Sequence, residues 1–243
     1  DETPALVKTF SKNLPIRYIR FLKSGYPTFY NEGAKKAKGN ILVFFDDDCT
    51  ASPTYLEHIR RAHLRHPGAI IQGYSHSVPR GNLYVDIMSD HYKNWLETMH
   101  IGNNELKVFD SKNASIPTLL FWKYGGLSSA MHLGSEDIEL GLRLRRHGIK
   151  IYFDRSIVVY HRERITLKDF LDQHRRFAAS EGHLDRILPR AERLGVIPKK
   201  KLLLHVKSFF IREWHYISHG KIKETVFVLY LYVRLAWNRI WGY

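Results

Sequence analysis

Three carboxylates stand in a row at Asp46-Asp47-Asp48, directly after the apolar run Ile41-Leu42-Val43-Phe44-Phe45. Adjacent groups of one sign repel each other and lose hydration on burial, so a positive partner is expected beside them. A divalent cation held through oxygen ligands meets that need. Residues two apart in an extended chain point to one side, which lets Asp46 and Asp48 share a site while Asp47 faces elsewhere. The same residue types also fit a solvated acidic turn.

A second acidic group, Ser135-Glu136-Asp137, stands where a helix over 138–147 would begin. The helix dipole and free backbone N–H groups keep a carboxylate ionised there, and an ionised carboxylate can take a proton from an attacking hydroxyl. Acids in a first turn also serve as plain stabilisers. His161 ends a β-rich run, where a neutral imidazole could complete a metal site begun by Asp48. In Gln173-His174-Arg175-Arg176-Phe177 a guanidinium and an amide lie beside an aromatic ring. That set suits phosphate oxygens and a sugar or base face, and equally a solvated basic helix face. Asn113 and Ser115, in the polar stretch 103–118, are candidates for contacts that select a sugar.

The elements that must position these residues alternate. A helix opens with Thr3-Pro4, a strand is expected over 14–22, and a helix over 29–38 closes at Gly39 with lysines in its last turns. The run 41–45 is short, aromatic and β-branched, as in a strand buried on both faces. A helix over 54–66 stops at Pro67, and 69–74 reads as a strand. The alternation predicts a mainly parallel α/β sheet, whose ligands collect at the carboxyl ends of strands. Beyond it, 86–100 reads as a helix, 103–115 as loop, and 149–153 and 157–160 as two short strands.

The chain has 243 residues, enough for one large α/β domain or two small ones. Lys and Arg number 38 against 24 acids, giving net +14 and a preference for anionic partners. The single cysteine, Cys49, excludes an internal disulfide and fits a reducing compartment. The opening residues do not read as a secretory leader, and no run of about twenty apolar residues suggests a spanning helix.

Taken in order, the segments resemble a known family. Asn31-Glu32-Gly33-Ala34-Lys35-Lys36-Ala37-Lys38-Gly39, then 41–48, Gly125-Gly126-Leu127, Glu136-Asp137-Ile138-Glu139-Leu140-Gly141-Leu142-Arg143-Leu144 with Gly148, and His161 together resemble the family 2 glycosyltransferases over roughly residues 1–180. The resemblance implies the GT-A fold, a nucleotide-diphosphate-sugar donor, a Mn2+ or Mg2+ cofactor, and inverting transfer to a hydroxyl of a glycan, lipid or protein. By position, Asp48 and His161 match metal ligands, and Asp46, with Asp47, Asn31 and Gly33, the donor side. Asp137 matches the catalytic base, and Glu136, with Asn113, the acceptor side. Gln173, Arg176 and Phe177 resemble a Gln-x-x-Arg-Trp motif of polysaccharide synthases that contacts the donor, with Phe in place of Trp. That replacement argues against processive synthesis.

The resemblance also implies a catalytic domain over 1–195 that lacks its first strand-helix-strand, about 35–50 residues by typical βα unit lengths. Residues 196–243 are expected to form a helical extension in which Lys and Arg alternate with Trp, Tyr, Phe and Leu. Such a stretch suits an anionic membrane surface, or packing on the catalytic domain. The expected location is therefore cytoplasmic, with peripheral attachment to the inner membrane face. Two other functions fit parts of the chain. Asp46-x-Asp48-x-Thr50 follows the nucleophile pattern of haloacid-dehalogenase-like phosphatases. Net +14 with 14 Tyr and five Trp permits a nucleic-acid binder, although no signature of such a fold is present and no nucleic acid is expected.

Overall fold

The computed structural model describes residues 2–21, 25–79, 81–102, 104–163, 166–188 and 226. The expected extension at 196–243 therefore lies outside the described residues, apart from 226. Two compact units divide the chain, Asp1–Gln173 and His174–Tyr243.

The first unit is built on a five-stranded sheet of β1 (Ile41–Phe45), β2 (Cys49–Ala51), β3 (Ile70–Val78), β4 (Asn113–Pro117) and β5 (Ile151–Arg162), in the order β1-β4-β3-β5-β2. The helices are α1 (Thr3–Phe10), α2 (Tyr26–Lys36), α3 (Tyr55–Arg65), α4 (Leu83–Met99), α5 (Thr118–Lys123), α6 (Glu136–Arg146) and α7 (Leu167–Ile187), the last running into the second unit. The period of two along each strand splits the core. Phe44, Ile70, Ala114, Ile116, Ile151 and Phe153 face one side with Phe121 of α5 and Leu140 and Leu144 of α6. Ile71, Ile157 and Val159 face the other with Tyr55, Ile59 and Ala62 of α3. Among the described residues no helix is long and apolar enough to cross a membrane.

Five features differ from expectation. The sheet is mixed: only β3 and β5 pair in parallel, while β1/β4, β3/β4 and β2/β5 are antiparallel. The strand β4, expected as loop, makes two of those antiparallel pairs. Its Asn113 and Ser115 are buried polar residues bonded to Tyr55 and His63 of α3, so the sequence lacks the apolar alternation that marks a strand. The edge strand β1 is buried on one face only, with Val43 and Phe45 each 37% exposed. Residues 15–21, expected within a strand over 14–22, form no regular secondary structure, and Ile16, Tyr18 and Ile19 are exposed. The two expected strands at 149–153 and 157–160 are one, β5, whose pairing with β3 jumps from Gly73↔Asp154 to Tyr74↔Val158. Residues 155–157 bulge there, and Gly73 is a glycine because a Cβ would overlap Asn113 and the Ile157 carbonyl.

Candidate active site

The strand ends gather the acidic residues. Asp46 leaves the end of β1, and the register Phe45↔Asn113 sets the 110–112 turn, which precedes β4, beside it. The parallel pair Ser77↔His161 and the antiparallel pair Cys49↔His161 bring the ends of β3 and β5 to the start of β2. A buried amide organises this edge: Gln72 accepts from the Asp110 N–H at 2.6 Å and donates to the Asn113 carbonyl at 3.1 Å.

Asp48 and His161 lie side by side. The His161 Nε2 lies 3.2 Å from Asp48 Oδ1, while its Nδ1 is 2.8 Å from Glu163 Oε1. Glu163 also accepts from the Ser77 hydroxyl at 2.9 Å. Burial pulls His161 down, but the hydrogen bond and charge of Glu163, aided by Asp48, leave it above its ordinary range. Burial works against the Glu163 charge, and His161, Lys112 and Ser77 overcome it, so that carboxyl titrates below its ordinary range. A carboxylate on Nδ1 directs the Nε2 lone pair outward, as in carboxylate–histidine–metal triads. Asp48 is 43% exposed, which gives a cation from solvent access to the pair. An oxygen and a nitrogen so arranged fit a dication. Asp47 is exposed in the same turn.

Asp46 accepts a hydrogen bond from the Tyr30 hydroxyl at 2.9 Å. Desolvation, with the charges of Asp110 and Asp48, raises its carboxyl above the usual range. The Asp110 side chain is paired with the Lys112 ammonium at 2.9 Å, and Lys112 stands 4.8 Å over the Tyr92 ring. Burial opposes both charges of that pair, and their mutual attraction wins: Asp110 titrates low and Lys112 high.

Asp137 is tied to the same edge. Its Oδ2 accepts from the Ser111 N–H and its Oδ1 from the Ile138 N–H, both at 2.8 Å. The chain enters α6 through Ser135 at φ 62, a left-handed conformation that costs a non-glycine residue energy and is enriched at functional sites. Burial and the charge of Asp110 push Asp137 up to about 6, against the pull of those N–H groups. Glu136 is 6% exposed. Its burial, followed by the charges of Asp137, Asp46 and Asp110, raises it further still. The acids after β1 and those opening α6 thus act on one another across the Asp110-Ser111-Lys112 turn.

Other expected residues fall elsewhere. Asn113 is fully buried: it donates to the Tyr74 and Ile157 carbonyls and accepts from Tyr55. Its side chain holds the sheet together and is closed off from solvent. Asn31 clips the 126–127 turn, donating to the Leu127 carbonyl at 2.8 Å and accepting from its N–H at 3.0 Å. Gly33 is exposed on α2 with open space around it. Gln173 is half-buried at the end of the first unit, and Arg176 and Phe177 are exposed on α7 in the second. Tyr30, Asp110, Lys112 and Glu163 were not singled out in the sequence, although Asp110-Ser-Lys112 and His161-Arg-Glu163 carry the spacing of two that aligns side chains on a strand.

The sequence profile described as Glycosyltransferase like family 2 matches residues 5–180. The chain belongs to that family. A curated relative, the validoxylamine A glucosyltransferase of Streptomyces hygroscopicus subsp. jinggangensis (strain 5008), is 26% identical over 185 residues, covering 64% of this chain and 44% of its own length. The chain thus spans less than half of that relative. Among solved structures, the mannosyltransferase PcManGT of Pyrobaculum calidifontis, in complex with GDP-Man and Mn2+, superposes with a TM-score of 0.59. It is 14% identical, over 100% of this chain and 75% of the other. GalNAc-T7 with UDP, GalNAc and Mn2+ gives 0.52 at 14% identity, over 77% of this chain and 43% of the other. At these identities the likeness is one of fold, and it identifies the family 2 chain as an α/β protein of the GT-A type.

Proposed function

We propose that this chain is an inverting glycosyltransferase that moves a sugar from a nucleoside-diphosphate donor to an acceptor hydroxyl, with a divalent cation, in cell-envelope, polysaccharide or glycolipid synthesis. One observation carries the reading: Asp137, with its carboxylate pushed up to about 6, is bonded to the turn whose Asp110 acts on Asp46. The proposed base and the acid at the end of β1 are thus linked through one turn, which supports placing them at one site.

The Ser111 and Ile138 N–H groups hold Asp137 in place without neutralising it. Near neutral pH its carboxylate is ionised yet basic enough to accept the acceptor's proton as the hydroxyl attacks the anomeric carbon. Attack opposite the leaving diphosphate inverts that carbon. Asp46, oriented by Tyr30, is suited to a donor ribose hydroxyl. Glu136, raised by burial, is suited to donate a hydrogen bond to the acceptor. Asp48 and His161 would hold a cation that offsets charge on the leaving diphosphate.

The GT-A relatives solved with UDP, GDP-Man and Mn2+ support this reading, and the phosphatase and nucleic-acid alternatives gain nothing from the matches. The test is transfer and donor hydrolysis across a panel of nucleotide sugars, with Mn2+, with Mg2+ and after chelation, and NMR of the product anomer. Cation-dependent turnover with inversion is the expected result. Retention of configuration, or turnover unaffected by chelation, would overturn it.

A further inference from the structure

Cys49 stands at the cation-binding edge with no part in the reading above. Residues directly opposite in an antiparallel pair project to the same face, and Cys49 is opposite His161. Its thiol donates to Asp48 Oδ1 at 3.9 Å, and Asp48 Oδ1 is 3.2 Å from His161 Nε2. One ligand atom from each of Asp48, Cys49 and His161 falls within 4.8 Å of the other two. Tetrahedral zinc, with bonds of about 2.0 Å to N and O and about 2.3 Å to S, sets its ligands about 3.3–3.5 Å apart. Two of the spacings here lie within about half an ångström of that range, before any cation draws the groups together.

We propose that Cys49 is a third ligand at this site, which makes it an N/O/S site for a borderline cation of the Zn2+ or Co2+ class, bound in preference to Mg2+. The inference rests on reading Asp48 and His161 as cation ligands. Thiolate and imidazole select such metals over hard cations, which prefer all-oxygen sets, and Zn2+ and Co2+ form the tighter complexes with any N/O/S site. Ligation exchanges the thiol proton for the metal: the S–H bond breaks, the sulfur keeps the electron pair and bonds the cation, and the proton goes to water. Glu163 keeps Nδ1 of His161 occupied, leaving Nε2 for the cation. Three protein ligands leave a fourth position open, the pattern of a site that also takes water or substrate.

Co2+ reports sulfur ligation directly, and the chain contains a single cysteine, so any thiolate-to-cobalt charge-transfer band arises from Cys49. Titrating Co2+ into the full, reduced protein is expected to raise that near-ultraviolet band, saturating at one equivalent and persisting in excess Mg2+. The band should vanish in Cys49→Ser, with the far-ultraviolet circular dichroism unchanged. Co2+ binding by calorimetry without the band removes Cys49 from the site and leaves Asp48 and His161 as ligands. Loss of the band to excess Mg2+ overturns the proposed selectivity. Absence of any Co2+ binding overturns the cation reading and this inference together.

Discussion

At the scale of single residues, the pocket is defined by how few cations face its many acids. Asp110 raises the titration of Asp46, Glu136 and Asp137, Asp46 and Asp137 add to that of Glu136, and Lys112 is the ammonium paired with Asp110. A base of raised pKa must lose its proton before it works, so the rate should climb with pH through the Asp137 value of about 6. In a pH–rate profile of kcat/KM, that acid limb should move to lower pH in Asp110→Asn, which removes a charge that holds Asp137 up. An unmoved limb would assign it to another group. Replacing the base itself, Asp137→Asn, should lower turnover by about 10²–10⁴-fold with donor affinity retained; donor calorimetry beside turnover separates the two. Removing the cation partner tests a different property. Lys112→Met leaves Asp110 ionised without its counter-charge and should cost about 2–4 kcal/mol, toward the lower end for a broken buried pair because both side chains keep some solvent contact. Urea denaturation should show most of that loss restored in the double variant Asp110→Asn/Lys112→Met, since the unpaired charge is then gone.

At the scale of elements, the site depends on a narrow strip of sheet that admits no extra atoms. Gly73 is pressed by the Asn113 amide and the Ile157 carbonyl where β5 bulges, and Asn113 is fixed in turn by Tyr55. A methyl group at position 73 would push on backbone as well as side chain. Gly73→Ala is expected to destabilise by about 1–3 kcal/mol, as overpacking does, and to lower the thermal midpoint. An unchanged midpoint would mean that the bulge yields freely. The strand-then-acid order at 41–48, the helix α3 stopped before Pro67, and α6 with acids first and arginines last are all written in local residue types. The strand β4 is not, because its inward polar residues are satisfied by tertiary hydrogen bonds rather than hidden by being apolar. Missing it concealed the antiparallel link between β1 and β3 and made the sheet look mainly parallel.

At the scale of the molecule, net +14 governs the approach of anionic partners. The whole chain is expected to float with vesicles rich in anionic lipid at low ionic strength and to be released by salt, while neutral vesicles leave it in solution. Equal flotation with both vesicle types would point to apolar rather than electrostatic attachment. A net positive charge and a cluster of acids are compatible because they act at different ranges: the net charge attracts anions over a distance, and the carboxylates act only on contact.

The amino-acid sequence by itself determined much of the repertoire: most of the runs that become helices, the strands at 41–45 and 70–78, where acids sit at their ends, and the five ordered segments that mark the family. Those are properties of neighbours along the chain, fixed by periods of two and 3.6 residues and by the chemistry of helix ends. Only the tertiary structure decided that β1 lies at an edge, that Lys112 neutralises Asp110, that Glu163 orients His161, and that Asn113 belongs to the sheet rather than the pocket. Each of those is a pairing between polar groups brought together by burial, and the energy that selects the partner exists only once water has been removed from both.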